Sequence, residues 1–361
     1  MKITSVETFP ISLRLAQPIH MSHHTFDRSD NLVVRVSTDT GIVGWGEGVP
    51  SMDVTGENQA SIGASVEDLG SRLVGDDPLQ RTALWLKLRN SVYGNSTAIG
   101  AIDIALHDIA GKALGVSVSD LLGGAARESI PALTLMGSGD RAADLDTVAE
   151  RKALGLRWFK LKVGMGDPDL EAETMALMAE DRDLVVCGDA NGGFDEQRSA
   201  RFLAALGGSH VRFMEQPTLS TAALIRLAEH SPVAVCADES ARSLDDLVTL
   251  GATPVAGVSL KLIKHGGITG VMRGAAVCDQ VGLQINLAGK VAESAISTAA
   301  NLHCAAAMSG TPFGCSPSNQ NVAADVCADA PTVIDGAYRV PTGPGLGIDV
   351  DEDRLRSLAT P

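Results

Sequence analysis

The first 48 residues alternate apolar and polar positions. MKITSVETFPISL, NLVVRVSTDTG and IVGWGEG each read as a half-buried strand, with Thr40-Gly41 turning the chain between the last two. The pattern predicts a small antiparallel sheet. Residues 17–29 (QPIHMSHHTFDRS) are polar and aperiodic, which predicts a loop. From about Glu57 to Gly124 the period lengthens. Over Ser96 to Leu114, Ile99, Ile102, Leu106, Ile109, Ala110 and Ala113 recur at three- and four-residue steps, the stripe of an amphipathic helix. Leu121-Leu122-Gly123-Gly124 is a stop signal, so an N-terminal α+β unit is expected over residues 1–125.

Beyond it, short apolar runs recur as IPALTLMG, WFKLKVG, LVVCGDA, VRFMEQP, VAVCADE, GVSLKL, LQINLAG and TPFGCSP, with helical stretches such as LDTVAERKALG and TAALIRLAEH between them. Eight such units at a spacing of about 26 residues predict a (β/α)8-type barrel over residues 126–320. A doubly wound open sheet is the alternative. It rarely keeps so even a period, and no GxGxxG or GxxxxGK[ST] turn follows any strand. The segment 321–361 carries two further strand-like pieces, TVIDGAYRV and GLGIDV, expected to return to the N-terminal unit.

Charge removes several classes. The 361 residues carry a net charge of −15, which argues against a nucleic-acid partner and against docking on an anionic membrane. The N-terminus lacks the apolar core of a signal peptide and no apolar run reaches the length of a membrane span, so a cytoplasmic chain is expected. The six cysteines show no CxxC spacing and read as reduced core residues.

In a parallel barrel, ligands sit at the C-terminal strand ends. Read in order, those ends carry Lys160 and Lys162, then Asp189 and Asn191, Glu215, Asp238 and Glu239, and Lys261. Alone, an acid at a strand end is commonly a helix cap, and a Lys-x-Lys is commonly a solvated face. The ordered set carries the inference. Three carboxylates converging on one mouth repel unless a cation neutralises them, and an all-oxygen set suits Mg²⁺. Lys160 and Lys162 are two apart on one strand and face the same side. Beside one another and a divalent cation, lysines are expected to be held partly neutral, ready to accept a proton from the carbon next to a carboxylate.

WFKLKVG, CGDANGGF, FMEQP, CADES and SLKLIKHGG, in that order and preceded by GWGEG, resemble the enolase superfamily in its mandelate racemase/muconate-lactonizing-enzyme subgroup. The resemblance covers nearly the whole chain. It implies a (β/α)7β modified TIM barrel with an N-terminal α+β capping domain, and a lid at about residues 17–29. It further implies Asp189, Glu215 and Asp238 as Mg²⁺ ligands, with Mn²⁺ a possible substitute. Lys162 and Lys261 are implied as acid/base groups on opposite faces of the substrate, with Lys160 tuning the first and touching the substrate carboxylate. Asn191, Glu239 and Lys264 are implied to support these groups. A homo-oligomer is also implied.

Departures narrow the reading. The His–Asp pair of mandelate-racemase-like members is replaced by Lys261, and the Asp-x-Asp of dipeptide epimerases by Cys315-Ser316-Pro317-Ser318. Substrate contacts are expected from His20, His23 and His24 on the lid, read as polar lid positions rather than a metal site, and from Glu293, Ser294 and Ser316. Lys290 reads either as a cation facing the substrate or as a solvated loop residue, the second reading being favoured, and Gly343 to Gly347 reads as a turn. The expected activity is a Mg²⁺-dependent isomerase of a small carboxylate, working through an enediolate as a racemase or epimerase of amino-acid derivatives or as a muconate-type cycloisomerase. The alternatives are a syn-dehydratase of the o-succinylbenzoate-synthase type and, more remotely, a metal-free binding protein.

Overall fold

A computed structural model describes residues 1–20 and 25–360, His20 by its backbone alone. Strands β1 (Ile3–His20), β2 (Thr25–Thr38) and β3 (Val43–Gly48) form an antiparallel sheet in sequence order. Residues 17–20 and 25–29, expected as loop, instead continue the β1–β2 hairpin, with Ile19 opposite Phe26 and His20 opposite Thr25. The extension is largely exposed on both faces, so backbone pairing holds it and no alternation marks it in the sequence.

Helices α1 (Gln59–Ser71), α2 (Arg81–Ser91), α3 (Ser96–Leu114) and α4 (Val118–Leu121) follow. The apolar stripe of α3 packs on the sheet and is buried from Thr97 to Gly111. Gly44 and Gly46 of β3 permit the contact: a Cβ on Gly46 would stand 1.8 Å from the carbonyl oxygen of Ala101. The buried Asp108 of α3 accepts from the Trp45 backbone N–H at 2.9 Å, from Leu346 N–H at 2.9 Å and from Lys112 Nζ at 2.7 Å. One carboxylate thus joins sheet, helix and C-terminal segment.

After β4 (Ser129–Pro131) the barrel strands are β5 (Leu133–Met136), β6 (Trp158–Lys162), β7 (Val185–Asp189), β8 (Met214–Glu215), β9 (Val235–Ala237), β10 (Gly257–Leu260), β11 (Gln284–Ala288) and β12 (Gly314–Ser316). They form one eight-stranded parallel sheet in sequence order, and a parallel bridge from Ala132 to Cys315 links its two ends. The outer helices are α5 (Arg141–Ala153), α6 (Pro168–Met178), α7 (Glu196–Ala205), α8 (Thr221–His230), α9 (Leu244–Gly251), α10 (Leu262–His265), α11 (Gly267–Val281) and α12 (Ala295–Ala307). The fold is a (β/α)7β barrel, because no α-helix follows β12 before the chain leaves the ring. Leu133, Trp158, Cys187, Phe213, Cys236 and Phe313 plug the bottom of its interior, with the rings of Phe213 and Phe313 stacked 4.3 Å apart. Two residues beyond Trp158, Cys187, Phe213 and Cys236 stand Lys160, Asp189, Glu215 and Asp238.

Among the hydrogen bonds that seat the N-terminal unit on the barrel, two carboxylates meet helix N-termini. Asp103 of α3 accepts from the N–H and Oγ1 of Thr269, in the first turn of α11, at 2.9 and 2.7 Å. Glu47 of β3 accepts from the N–H groups of Ser294 and Ser297 at the start of α12, the nearest at 3.0 Å, and from Asn31 Nδ2 at 2.8 Å. The C-terminal segment forms a hairpin, β13 (Val333–Ile334) and β14 (Ala337–Arg339), the latter pairing with β4, and then α13 (Glu352–Ser357). Backbone hydrogen bonds from Ser12 to Leu358 and from Thr360 to Pro10 tie its end to β1. GLGIDV makes isolated bridges at Gly345 and Val350 rather than the expected strand, since Gly345 and Gly347 take φ of +72° and +66°. The six cysteines are buried and unpaired, and among the described residues no helix is long and apolar enough to cross a membrane.

Gly46→Ala is expected to lower unfolding free energy by about 3 kcal/mol, because backbone lies on both sides of the clash and neither element can yield locally. Denaturant titration checks this, and a wild-type midpoint would contradict the close approach.

Candidate active site

Each inward charge at the mouth stands where period-two counting puts it. On β6, Trp158, Lys160 and Lys162 face inward while Phe159 and Leu161 enter the outer core. Register then sets neighbours: Lys162 lies opposite Asp189, Asp189 opposite Glu215, and Glu215 opposite Cys236, two residues before Asp238. The cavity above is lined by Lys160, Lys162, Asp189, Asn191, Lys261, Lys290, Ser316 and, from the N-terminal unit, Asp53 and Val54.

The charges meet in pairs. Lys160 Nζ donates to Glu215 Oε2 at 2.5 Å, Lys162 Nζ to Asp189 Oδ2 at 2.7 Å and to Asn191 Oδ1, and Lys261 Nζ to Asp238 Oδ2 at 2.5 Å. Lys264 Nζ donates to Asp238 Oδ1 at 2.7 Å and to two backbone carbonyls. Ser259 Oγ donates to Glu215 Oε1 at 2.7 Å, and Asn286 Nδ2 to that same Ser259 Oγ at 2.8 Å. Gln216 Oε1 accepts from the Asp238 N–H at 2.7 Å. Asn191 Nδ2 donates to Glu239 Oε1 at 3.1 Å, and Glu239 Oε2 is buried without a partner.

Ionisation follows from these pairs. Burial alone would lower the pKa of Lys160 and Lys261. The carboxylates of Glu215 and Asp189 on the first, and of Asp238, Glu215 and Glu239 on the second, outweigh it and leave both raised. Asp189 and Asp238 are pulled below their usual range against the effect of burial, by Lys162 and Lys160 and by Lys261 and Lys264 respectively. Burial pushes Glu215 up, and Asp189 and Asp238 push it further. Burial, then Asp238 and Asp189, raises Glu239 to about 7. For Lys160 and Lys261 the nearest charges are carboxylates, and that decides the sign.

Among the described residues no three His, Cys, Asp or Glu side chains stand close enough to hold a metal ion. The expected convergence of Asp189, Glu215 and Asp238 is met by their strand ends but not by their oxygens, which turn onto ammonium groups. The donor set still fits a hard divalent cation. All three are buried oxygen donors, and Asp189 and Asp238 both raise the pKa of Glu215, as carboxylates sharing one small volume do.

Of the expected substrate contacts, Ser316 lines the cavity. Ser294 is instead the N-cap of α12, its Oγ accepting from Ile296 N–H at 3.2 Å. The carboxylate of Glu293 lies beneath Gly289, accepting from Lys290 N–H at 2.8 Å and Asn301 Nδ2 at 3.2 Å, and does not line the cavity. The side chain of His20, and His23 and His24 entirely, lie outside the described residues. Lys290, expected as a solvated loop residue, is 6% exposed and faces the cavity, because the turn after β11 folds beneath the N-terminal unit. Ser259 and Asn286 escaped the sequence reading although they occupy inward positions on β10 and β11. Asp53 and Glu47 reach the barrel from another unit, and no local pattern announces them.

Comparison with known proteins places these residues in context. Residues 3–123 match the family model of the mandelate racemase/muconate lactonizing enzyme N-terminal domain, and residues 143–354 match that of the enolase C-terminal domain-like fold. A chloromuconate cycloisomerase of Cupriavidus necator is 34% identical over 99% of this chain and 98% of its own. An N-succinyl-L-Arg/Lys racemase of Bacillus cereus is 28% identical over 99% of this chain and 98% of its own. The crystal structure of a muconate lactonizing enzyme from Pseudomonas fluorescens with muconolactone superposes with a TM-score of 0.94 at 29% identity, over 99% of both chains.

Burial, with Glu47 adding to it, raises Glu293 from 4.5 to about 8. A raised folded pKa gives stability that is complete below pH 4.5 and lost as pH climbs through about 8. The stability of Glu293→Gln relative to wild type is therefore expected to rise across that window, by on the order of a few kcal/mol. A pH-independent difference in denaturant midpoints would contradict it.

Proposed function

The chain belongs to the mandelate racemase/muconate lactonizing enzyme family of the enolase superfamily, whose members among its relatives are isomerases, and on that premise we propose that it isomerises a small carboxylate by moving a proton at the α-carbon between Lys162 and Lys261. The observation that carries this reading is their placement. Lys162 ends β6 and Lys261 follows β10, four strands further round a ring of eight, so they stand on opposite walls of one cavity. A substrate α-carbon held between them presents one face to each.

The neutral lysine takes the α-proton, and the electron pair of the broken C–H bond moves into the carboxylate as an enediolate. The charged lysine opposite returns a proton to the other face, which inverts the centre with no change in composition. In a cycloisomerisation the charged lysine protonates the enolate carbon left when a second substrate carboxylate has closed onto the conjugated chain. Lys160, two residues below Lys162 on the same wall, offers its ammonium to the substrate carboxylate. Asp238 at 2.5 Å keeps Lys261 protonated, so Lys261 acts as base only when that carboxylate is engaged elsewhere. Asn191 orients Lys162, and Lys264 holds Asp238 from its far side.

Asp189, Glu215 and Asp238 would hold Mg²⁺, in keeping with the family. Bound there, the cation would supply positive charge against the negative charge that grows on the substrate carboxylate.

The test is a chiral and mass-spectrometric screen in D₂O with Mg²⁺, over N-acyl amino acids, proline derivatives, dipeptides, muconates and β-hydroxy acids. α-Deuterium with inverted configuration marks a racemase or epimerase, and a lactone from a muconate marks a cycloisomerase. Loss of water from a hydroxy acid as the only product would overturn the isomerase reading. Lys162→Ala and Lys261→Ala are each expected to cut turnover by about 10³-fold or more. Near-wild-type turnover in either would remove the two-lysine assignment. Mg²⁺ is expected to raise the thermal midpoint of the wild type and of both lysine variants, and to do so less in Asp189→Asn.

A further inference from the structure

Lys290 differs from every other lysine of the cavity. Lys160, Lys162 and Lys261 each donate to a carboxylate oxygen at 2.5–2.7 Å. Among the described residues, Lys290 Nζ donates no hydrogen bond. Its nearest carboxylate oxygen is Asp53 Oδ1 at 3.6 Å, beyond hydrogen-bonding reach, and that oxygen already accepts from Ser51 Oγ at 2.7 Å. The ring of Phe26 lies across Nζ with its centroid 5.2 Å away.

The backbone of Lys290 is fixed all the same. Its N–H donates to Glu293 Oε1 at 2.8 Å and its carbonyl accepts from Ser318 Oγ. The chain therefore holds, at 6% exposure, an ammonium group without a hydrogen-bonded counter-ion, an arrangement that costs stability unless an anion completes it. Burial, and then the facing Lys261 and Lys162, pull its pKa down against Asp53. A second negative charge delivered there would relieve both effects. Asp53 has the opposite situation. Its side chain is 37% exposed on the turn after β3, so water can take it up when the pair opens.

We infer that Lys290 is the receptor for a second carboxylate of the substrate, remote from the reacting one, and that Asp53 of the N-terminal unit is the side chain this carboxylate displaces. The inference rests on the isomerase reading for the position of the reacting end. Asp53 already brings a carboxylate to this point, so the group that replaces it is of the same chemistry, at the geometry Asp53 falls short of. The pair makes the mouth selective for dianions. A singly charged substrate leaves Lys290 with its distant partner, and a doubly charged one gives it a hydrogen-bonded one.

The experiment compares ligands that differ only in the distal charge. cis,cis-Muconate is paired with the corresponding hexadienoate, in which a methyl group replaces one carboxylate, and N-succinyl-leucine with N-butanoyl-leucine. Dissociation constants are measured by calorimetry with Mg²⁺ present, and α-deuterium incorporation is read in parallel. In the wild type, the dianion of at least one pair is expected to bind about tenfold more tightly than its partner. That ratio should fall to near one in Lys290→Met, which conserves volume, and should widen in Asp53→Asn, which changes an accessible side chain and leaves the fold intact. A ratio near one in the wild type, an undiminished ratio in Lys290→Met, or no binding of any probe would overturn the inference. Charge preference without α-deuterium or lactone formation would support Lys290 and sink the isomerase reading. Turnover without charge preference would do the reverse.

Discussion

Lysines and carboxylates buried together at one end of a barrel must neutralise one another, and most of the architecture serves that requirement. Lys160, Lys162, Lys261 and Lys264 are each under 10% exposed, and each would be costly alone. They are tolerated because strand register sets Asp189, Glu215 and Asp238 within hydrogen-bonding reach, and because Ser259, Asn286 and Asn191 take up remaining lone pairs and protons. The apolar plug of Phe213, Phe313 and Trp158 below them closes the bottom of the barrel and leaves its top as the open end. On the proposed reading the same charges serve the chemistry, since an ammonium held by a carboxylate gives up its proton more readily, and so becomes an amine base, once that carboxylate is engaged elsewhere.

The N-terminal unit belongs to the same scheme. Glu47 caps α12 with a carboxylate that burial makes hard to ionise, and Asp103 grips the start of α11, so the sheet is fixed over the barrel at two helix N-termini. The turn after β3 is thereby held over the cavity, bringing Asp53 to Lys290. On the proposed reading, proton transfer belongs to the facing barrel walls and charge preference to the seam between the two units. Relatives of this chain include cycloisomerases and a racemase, so one architecture serves more than one isomerisation.

What the sequence by itself determined is whatever depends on local period and order. Eight apolar runs at even spacing specified the barrel, and alternation put Lys160 and Lys162 on its inner face before any contact was known. An acid at the end of each of three successive strands was equally legible, because a strand end is a position along the chain. The stripe of α3 was plain, since a helix buried against a sheet repeats its apolar residues every turn.

Only the tertiary structure decided the rest. The hairpin over 17–20 and 25–29 left no pattern because, apart from Ile19 and Phe26, its described side chains are mostly exposed. Lys290 read as solvated because its burial is supplied by Phe26 and by the turn carrying Asp53, more than 200 residues away in the chain. Ser294 read as a substrate contact and proved to be a helix cap, a role set by where α12 begins. The ionisation of Lys160 and Lys261 lay outside the reach of the sequence for the same reason. A pKa is set by the nearest charge in space, and adjacent residues on a strand say little about which group lies across the barrel. Period and order are carried by the backbone and survive in one dimension, whereas burial and ionisation are sums over neighbours that exist only once the chain has closed on itself.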